Sequence, residues 1–305
     1  MANDFLTPDV IARQALASLY ENLVMVPLVH TDHSVEFNSA RRQGDTVRIR
    51  KPAVLNAALF DRSAGISIQD VDEDFVNISM DKIADTSVAV NSEELRLDIQ
   101  SFDDQIMSPA LEGLAQFIDR QILGLKSGVT QVAGITPASR TWDNPEALIE
   151  AGRLLDIQKV PPNLRHAVTG PTTKAEWMDS DIIKHADKSG STEALRQGSI
   201  GTNIFGFDVF QTQNVTQPAA SPATGQPTTE VGVAFHRSAF AFVSAPMEIP
   251  PGAEGSVQSF NGISVRVVQQ YDITKKRTIV SFDILFGVKA IDVNRAVLLK
   301  GPNAA

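Results

Sequence analysis

Along residues 91 to 127, apolar side chains recur at steps of three and four: Leu95, Ile99, Phe102, Ile106, Ala110, Leu114, Phe117 or Ile118, Ile122 and Leu125. That spacing lays one apolar stripe along a helix. At 1.5 Å per residue the helix would be on the order of 50 Å long. Asn91 and Glu94 stand at capping-box spacing, with Asn where Ser or Thr is usual, and Gly128 supplies a stop. Pro109 interrupts the stripe, so a kink is expected there, or a fresh start with Ser108 as N-cap and Pro109 at N1. Thr7-Pro8-Asp9 opens an earlier helix that runs to about Asn22, after which Leu23 to Pro27 reads as extended.

The period then shortens to two. In GDTVRIRKP, Arg48, Arg50 and Lys51 flank Val47 and Ile49, the pattern of a strand with one basic and one apolar face, and Gly44-Asp45 makes the turn before it. Ile66, Ile68, Phe75, Ile78, Val88 and Val90 continue in β-like alternation. Asn144-Pro145 begins a helix that ends before Pro161-Pro162. Strands are predicted at 165–169 and 207–211, and a short helix at 171–179. Residues 215–230, VTQPAASPATGQPTTE, are the one low-complexity stretch, expected as a mobile surface loop. From Gly232 onward the reading is β, through VAFHRSAFAFVSA, ISVRVVQQYD and RTIVSFDILFGVKAI, with a turn at Ile273 to Lys276. No fixed-period repeat is present. The fold class is α+β, with β segments at both ends bracketing a helical middle.

Composition narrows this. At 305 residues and 43% hydrophobic, the chain exceeds one average domain and can bury a sizeable core. It has no Cys, which excludes disulfides, thiolate metal sites and Cys nucleophiles. No apolar run reaches the roughly 20 residues of a membrane span, and MANDFLTPDV lacks the pattern of a signal peptide. A soluble, non-secreted protein is therefore expected. A net charge of −9 does not suit a general nucleic-acid binder. Against that background Arg41, Arg42, Arg48, Arg50 and Lys51, opposed by Asp45, give residues 41–51 a net +4. Asp70, Asp72, Glu73 and Asp74 follow with no base among them, as if a long hairpin carried one basic and one acidic edge.

Catalytic chemistry is sparse. His30-Thr-Asp-His33 is a weak metal signal without a third ligand. No Gly-x-Ser-x-Gly elbow occurs, and the glycines from Gly198 to Gly206 lack the Lys-Ser/Thr ending of a phosphate loop. The acidic run lacks the Gly and distal Glu of a calcium loop. No catalytic, cofactor or metal site is assigned, and a metal-dependent hydrolase built on His30, His33 and residues 70–74 is the outlying alternative.

Several segments together resemble a known family: MANDFLTPDVIARQAL, LVMVPLVH, the GDTVRIRKP strand, the 91–127 helix, NIFGFDVFQTQNV, AFHRSAFAFV, and VRVVQQYD followed by TIVSFDILFGVKAIDVNRAVLLKG. Their order is similar to that of the major capsid (coat) proteins of tailed double-stranded DNA bacteriophages, with the Hong Kong 97-type fold. The resemblance implies a non-enzymatic shell subunit of the virion, assembled in the host cytoplasm from pentamers and hexamers. It implies an N-terminal arm (1–40), an extended loop (41–85), a peripheral domain (86–140 and 232–295) and an axial domain (141–231 and 296–305). A separate scaffolding protein, a portal protein and non-specifically packaged double-stranded DNA are the implied partners, without a membrane. An encapsulin-type nanocompartment shell is the alternative within the fold. On this reading Arg41, Arg42, Arg48, Arg50, Lys51, Asp70, Asp72, Glu73 and Asp74 are inter-subunit contacts.

Overall fold

The computed structural model describes residues 8–31, 46–50, 62, 75–91, 107–180, 183, 203–260 and 262–304. Helix α1 (Pro8–Asn22) forms where the Thr-Pro-Asp start predicts it. The segment expected to be extended after it instead turns into the 3-10 helix Val26–Leu28. A buried carboxylate causes the difference: Asp119 accepts the N–H of Val24 and Met25 at 3.2 and 3.0 Å, drawing the backbone into a turn.

Asn91 is the last residue of a strand, opposite Arg277. Helix α2 spans Ser108–Gly124, with Met107 as cap residue in helical conformation and Pro109 in the first turn. Gly128 ends the following 3-10 turn, Leu125–Gly128. Residues 92–106 lie outside the described residues. The stripe is buried as expected at Ala110, Leu114, Ile118 and Ile122, with Leu111, Ala115 and Leu123 beside it.

The strands are β1 (Thr46–Arg50), β2 (Phe75–Ser79), β3 (Lys82–Asn91), β4 (Val132–Ala133), β5 (Arg165–Thr169), β6 (Asp208–Gln211), β7 (Gly232–His236), β8 (Phe240–Ala245), β9 (Glu254–Phe260), β10 (Ile263–Asp272), β11 (Arg277–Ala290) and β12 (Ala296–Leu299). Helices α3 (Ala147–Ile157) and α4 (Pro171–Asp179) complete the order close to their predicted bounds. β9 was not foreseen, because EGSVQSF carries little apolar alternation.

Two five-stranded sheets result. In the first, antiparallel sheet, β3 lies along one edge of β11, while β10 and then β8 lie along the other. β9 closes it beyond β10. Its core-facing side, with Val265, Val267, Val280, Phe282, Ile284 and Phe286, shares one apolar cluster with α1 and α2. The second sheet has the order β4-β12-β7-β5-β6, with β12–β4 and β5–β6 parallel. Both of its faces are covered, which explains why β5 and β7 are buried at every position. Val168, Val233 and Phe235 join the first cluster, while Ala167, Ala234 and Val297 pack with Leu148, Ala151 and Leu155 of α3 and Trp177 of α4.

The 215–230 loop is tied down by the C-terminus, where Gly225 N–H donates to Ala304 O at 2.8 Å and Ala304 N–H to Gln226 O at 2.8 Å. β1 and β2 form a separate antiparallel ribbon. Its Ile49 and Ile78 pack on Ala241 and Val243, the side of β8 turned away from Phe240 and Phe242 of the main core.

Candidate functional site

The ribbon carries the charged residues singled out in the sequence. Its register pairs Arg48 with Asn77 and Arg50 with Phe75. Ile49 is buried and Arg48 exposed, so the predicted alternation holds where it can be read. Arg41, Arg42, Lys51, Asp70, Asp72, Glu73 and Asp74 lie outside the described residues.

The ribbon's footing depends on one glycine. A Cβ at Gly287 of β11 would penetrate the backbone carbonyl of Ser79, the last residue of β2. Only a residue without a side chain lets the ribbon cross the sheet there.

His30 sits half-buried in a bridge to Ala241, its N–H donating to Phe240 O at 3.1 Å and its carbonyl accepting from Phe242 N–H at 3.0 Å. His33 lies outside the described residues. Among the described residues no three His, Asp or Glu side chains come together to hold a metal.

Sequence reading missed the buried polar groups that fasten the elements together. Asp119 is fully buried on α2, where burial pushes its carboxyl from 3.8 up to about 6, against the hydrogen bonds from Met25, Val24 and Asn214. The signal was available: Asp119 falls four residues after Ala115 and four before Leu123, inside the apolar stripe. Glu230, also buried, accepts from Thr172 N, Thr173 N and Thr173 Oγ1, each at 2.9 Å, and from Gln217 Nε2. It thereby caps α4 from outside the helix. Lys126, after α2, donates to Val231 O at 2.8 Å, and its ammonium sits in the field of Glu230 while burial lowers its pKa. Glu150 of α3 is held by Arg153 and Arg140. Arg165 of β5 reaches Asp156 Oδ1 and Val160 O, both at 2.6 Å. These groups fasten elements that are distant in the chain to one another.

No family model matches the chain, and no curated protein matches its sequence. Solved structures do match. A chain from Mycobacterium phage Che8 superposes with a TM-score of 0.67 at 20% identity, covering 90% of each chain. The mature capsid of bacteriophage PhiM1 gives 0.59 at 13% identity, over 87% of this chain and 84% of that one. The capsid of Ralstonia phage GP4 gives 0.58 at 11% identity, over 86% and 84%. The α+β fold of this chain is the Hong Kong 97-type fold of phage capsid chains.

Proposed function

We propose that this chain is a major capsid protein that self-assembles into the icosahedral shell around the double-stranded DNA of a tailed bacteriophage. The observation that carries the reading is the fold likeness over nearly the full length of both chains, down to matching sizes. The ribbon supports it. A two-stranded ribbon is marginal alone in water, and here a small apolar pad, Ile49 and Ile78 on Ala241 and Val243, holds it against β8. The shell subunit acts by assembly and not by catalysis.

In this reading residues 1–40 form the arm and 41–85 the extended loop. The peripheral domain is built on the first sheet with α2, and the axial domain on the second sheet with α3 and α4. The pairing of β4 and β7 with β12 supports counting these two strands with the axial domain. Pentamers and hexamers are the assembling units. A separate scaffolding protein, a portal and packaged DNA are the partners, and Arg41, Arg42, Arg48, Arg50, Lys51, Asp70, Asp72, Glu73 and Asp74 are the contacts between copies.

Electron microscopy of the expressed protein, alone and with a scaffolding protein, tests the reading. Closed shells or tubes are the expected result. A sharply monodisperse monomer at high concentration under both conditions overturns it, and shells that hold a protein cargo without DNA favour a nanocompartment.

A further inference from the structure

Near its C-terminus the chain crosses between the two sheets twice by short turns. One crossing runs from β7 to β8 through the 3-10 turn Arg237–Ala239, the other from β11 to β12 through Val293–Arg295. The crossings lie against each other: Ile291 N–H and Asp292 N–H both donate to Ala239 O, at 2.8 and 3.2 Å. Each turn is capped by the side chain before it. His236 Nδ1 accepts from Ser238 N–H at 3.2 Å, and Asp292 Oδ1 accepts from Asn294 N–H at 3.0 Å. Side chains then join the two caps. Ser238 Oγ lies 2.8 Å from His236 Nδ1 and 2.7 Å from Arg295 Nη1, and Arg295 Nε donates to Asp292 Oδ2 at 3.3 Å.

Donor and acceptor roles follow from valence. Arg295 and the Ser238 amide can only donate. Ser238 Oγ therefore accepts from Arg295 and gives its own proton to His236 Nδ1, which must be the unprotonated nitrogen of a neutral ring. A proton on Nδ1 would turn that acceptor into a donor and leave the Ser238 amide without a partner. It would also set a cation beside Arg295 and Arg165. We propose that the His236–Ser238–Arg295–Asp292 chain is an acid-labile latch that holds the two sheets in fixed relation, closed while His236 is neutral and released when it is protonated.

The groups around the latch favour the neutral ring. Arg165 and His166 face His236 from β5, Arg295 and Asp292 from the second crossing, and Arg237 is its neighbour in the chain. His166 Nδ1 has no hydrogen bond and stands 3.7 Å from Asp208 Oδ2 of β6. Burial holds His236 below the ordinary imidazole value, and Arg295, Arg165 and His166 add to the effect. Burial also lowers His166, with Asp208 opposing and Arg237 assisting. Because both folded-state values lie below those of the unfolded chain, the stabilisation is complete above the unfolded value of about 6.5 and is lost as pH falls through the folded one.

Amide hydrogen exchange of the full chain at pH 7.5 and pH 5, corrected for intrinsic exchange, tests the latch. Protection of residues 237–239 and 291–295 should fall about tenfold or more at pH 5. His236→Asn keeps an N-cap acceptor that cannot titrate, and its protection there should be independent of pH. Unchanged wild-type protection, or an equal fall in the Asn variant, overturns the proposal. A second measurement needs no variant: nitrogen-15 spectra of the histidines at pH 7.5 should show His236 with its proton on Nε2, and a proton on Nδ1 overturns the latch equally.

Discussion

Glu230 keeps about 1% of its surface exposed and remains a carboxylate because donors surround it. Burial pushes its carboxyl up, but the hydrogen bonds from Thr173, Gln217 and Thr172 outweigh burial and leave it below the usual carboxylate range. Its contribution is therefore present above that range and lost as pH falls through the folded value. Glu230→Gln would aim an NH2 group at those donors and should cost about 2–3 kcal/mol in urea unfolding at pH 7.5. Retained stability would mean that the capping of α4 is dispensable. Asp119 has the opposite sign. Its folded value of about 6 exceeds the ordinary 3.8, so its contribution is complete below 3.8 and is lost as pH rises through 6. Between pH 8 and pH 5 this group should add about 1–1.5 kcal/mol of stability. Asp119→Asn, compared with the wild type at both pH values, should remove that increment. If the difference between the two proteins is the same at both pH values, Asp119 does not titrate in this window.

The ribbon, β1 with β2, shows how an element with little core of its own is held. Ile49 and Ile78 fill the pad on β8, and Gly287 lets Ser79 cross β11. Gly287 needs no special backbone conformation, since its φ is not positive. Its requirement is purely steric, so Gly287→Ala isolates the crossing. We expect a loss on the order of 2–3 kcal/mol, with amide protection falling first at residues 46–50 and 75–79. Protection lost equally across both sheets would show that the ribbon is not a separately docked element.

In the proposed shell, charge on the ribbon would act through repetition. A surface ion pair contributes only about 0–1 kcal/mol, but a closed shell repeats each contact in every copy. Arg48→Glu with Arg50→Glu should yield a folded, soluble chain that fails to assemble, and Asp70→Lys with Asp72→Lys in the same chain should restore part of the yield. Assembly should depend less on these residues in 1 M salt, where the Debye length is about 3 Å. Normal shells from the double Arg variant, seen by electron microscopy, would exclude a role for this face between copies. A defect confined to DNA packaging would point to the packaged DNA instead.

Local order was legible wherever one physical rule acted alone. Pro8 and Pro171 at first turns, the 110–122 stripe and the Pro161-Pro162 stop placed their elements within a few residues. The alternation in residues 263–290 likewise marked two strands and the turn between them. The resemblance of segment order carried the fold class, although no family model matches the sequence. The rest depended on partners distant in the chain. β3 ends at Asn91 opposite Arg277, a partner far along the sequence that local pattern does not announce. Leu23 to Pro27 turns because Asp119 waits opposite its amides. β7 joins the second sheet because β5 and β12 offer it both edges. Periodicity reports which face of an element is buried. It carries no information about which distant backbone or carboxylate will claim an element's ends, and in this chain those long-range claims settled the turns, the crossings and the footing of the ribbon.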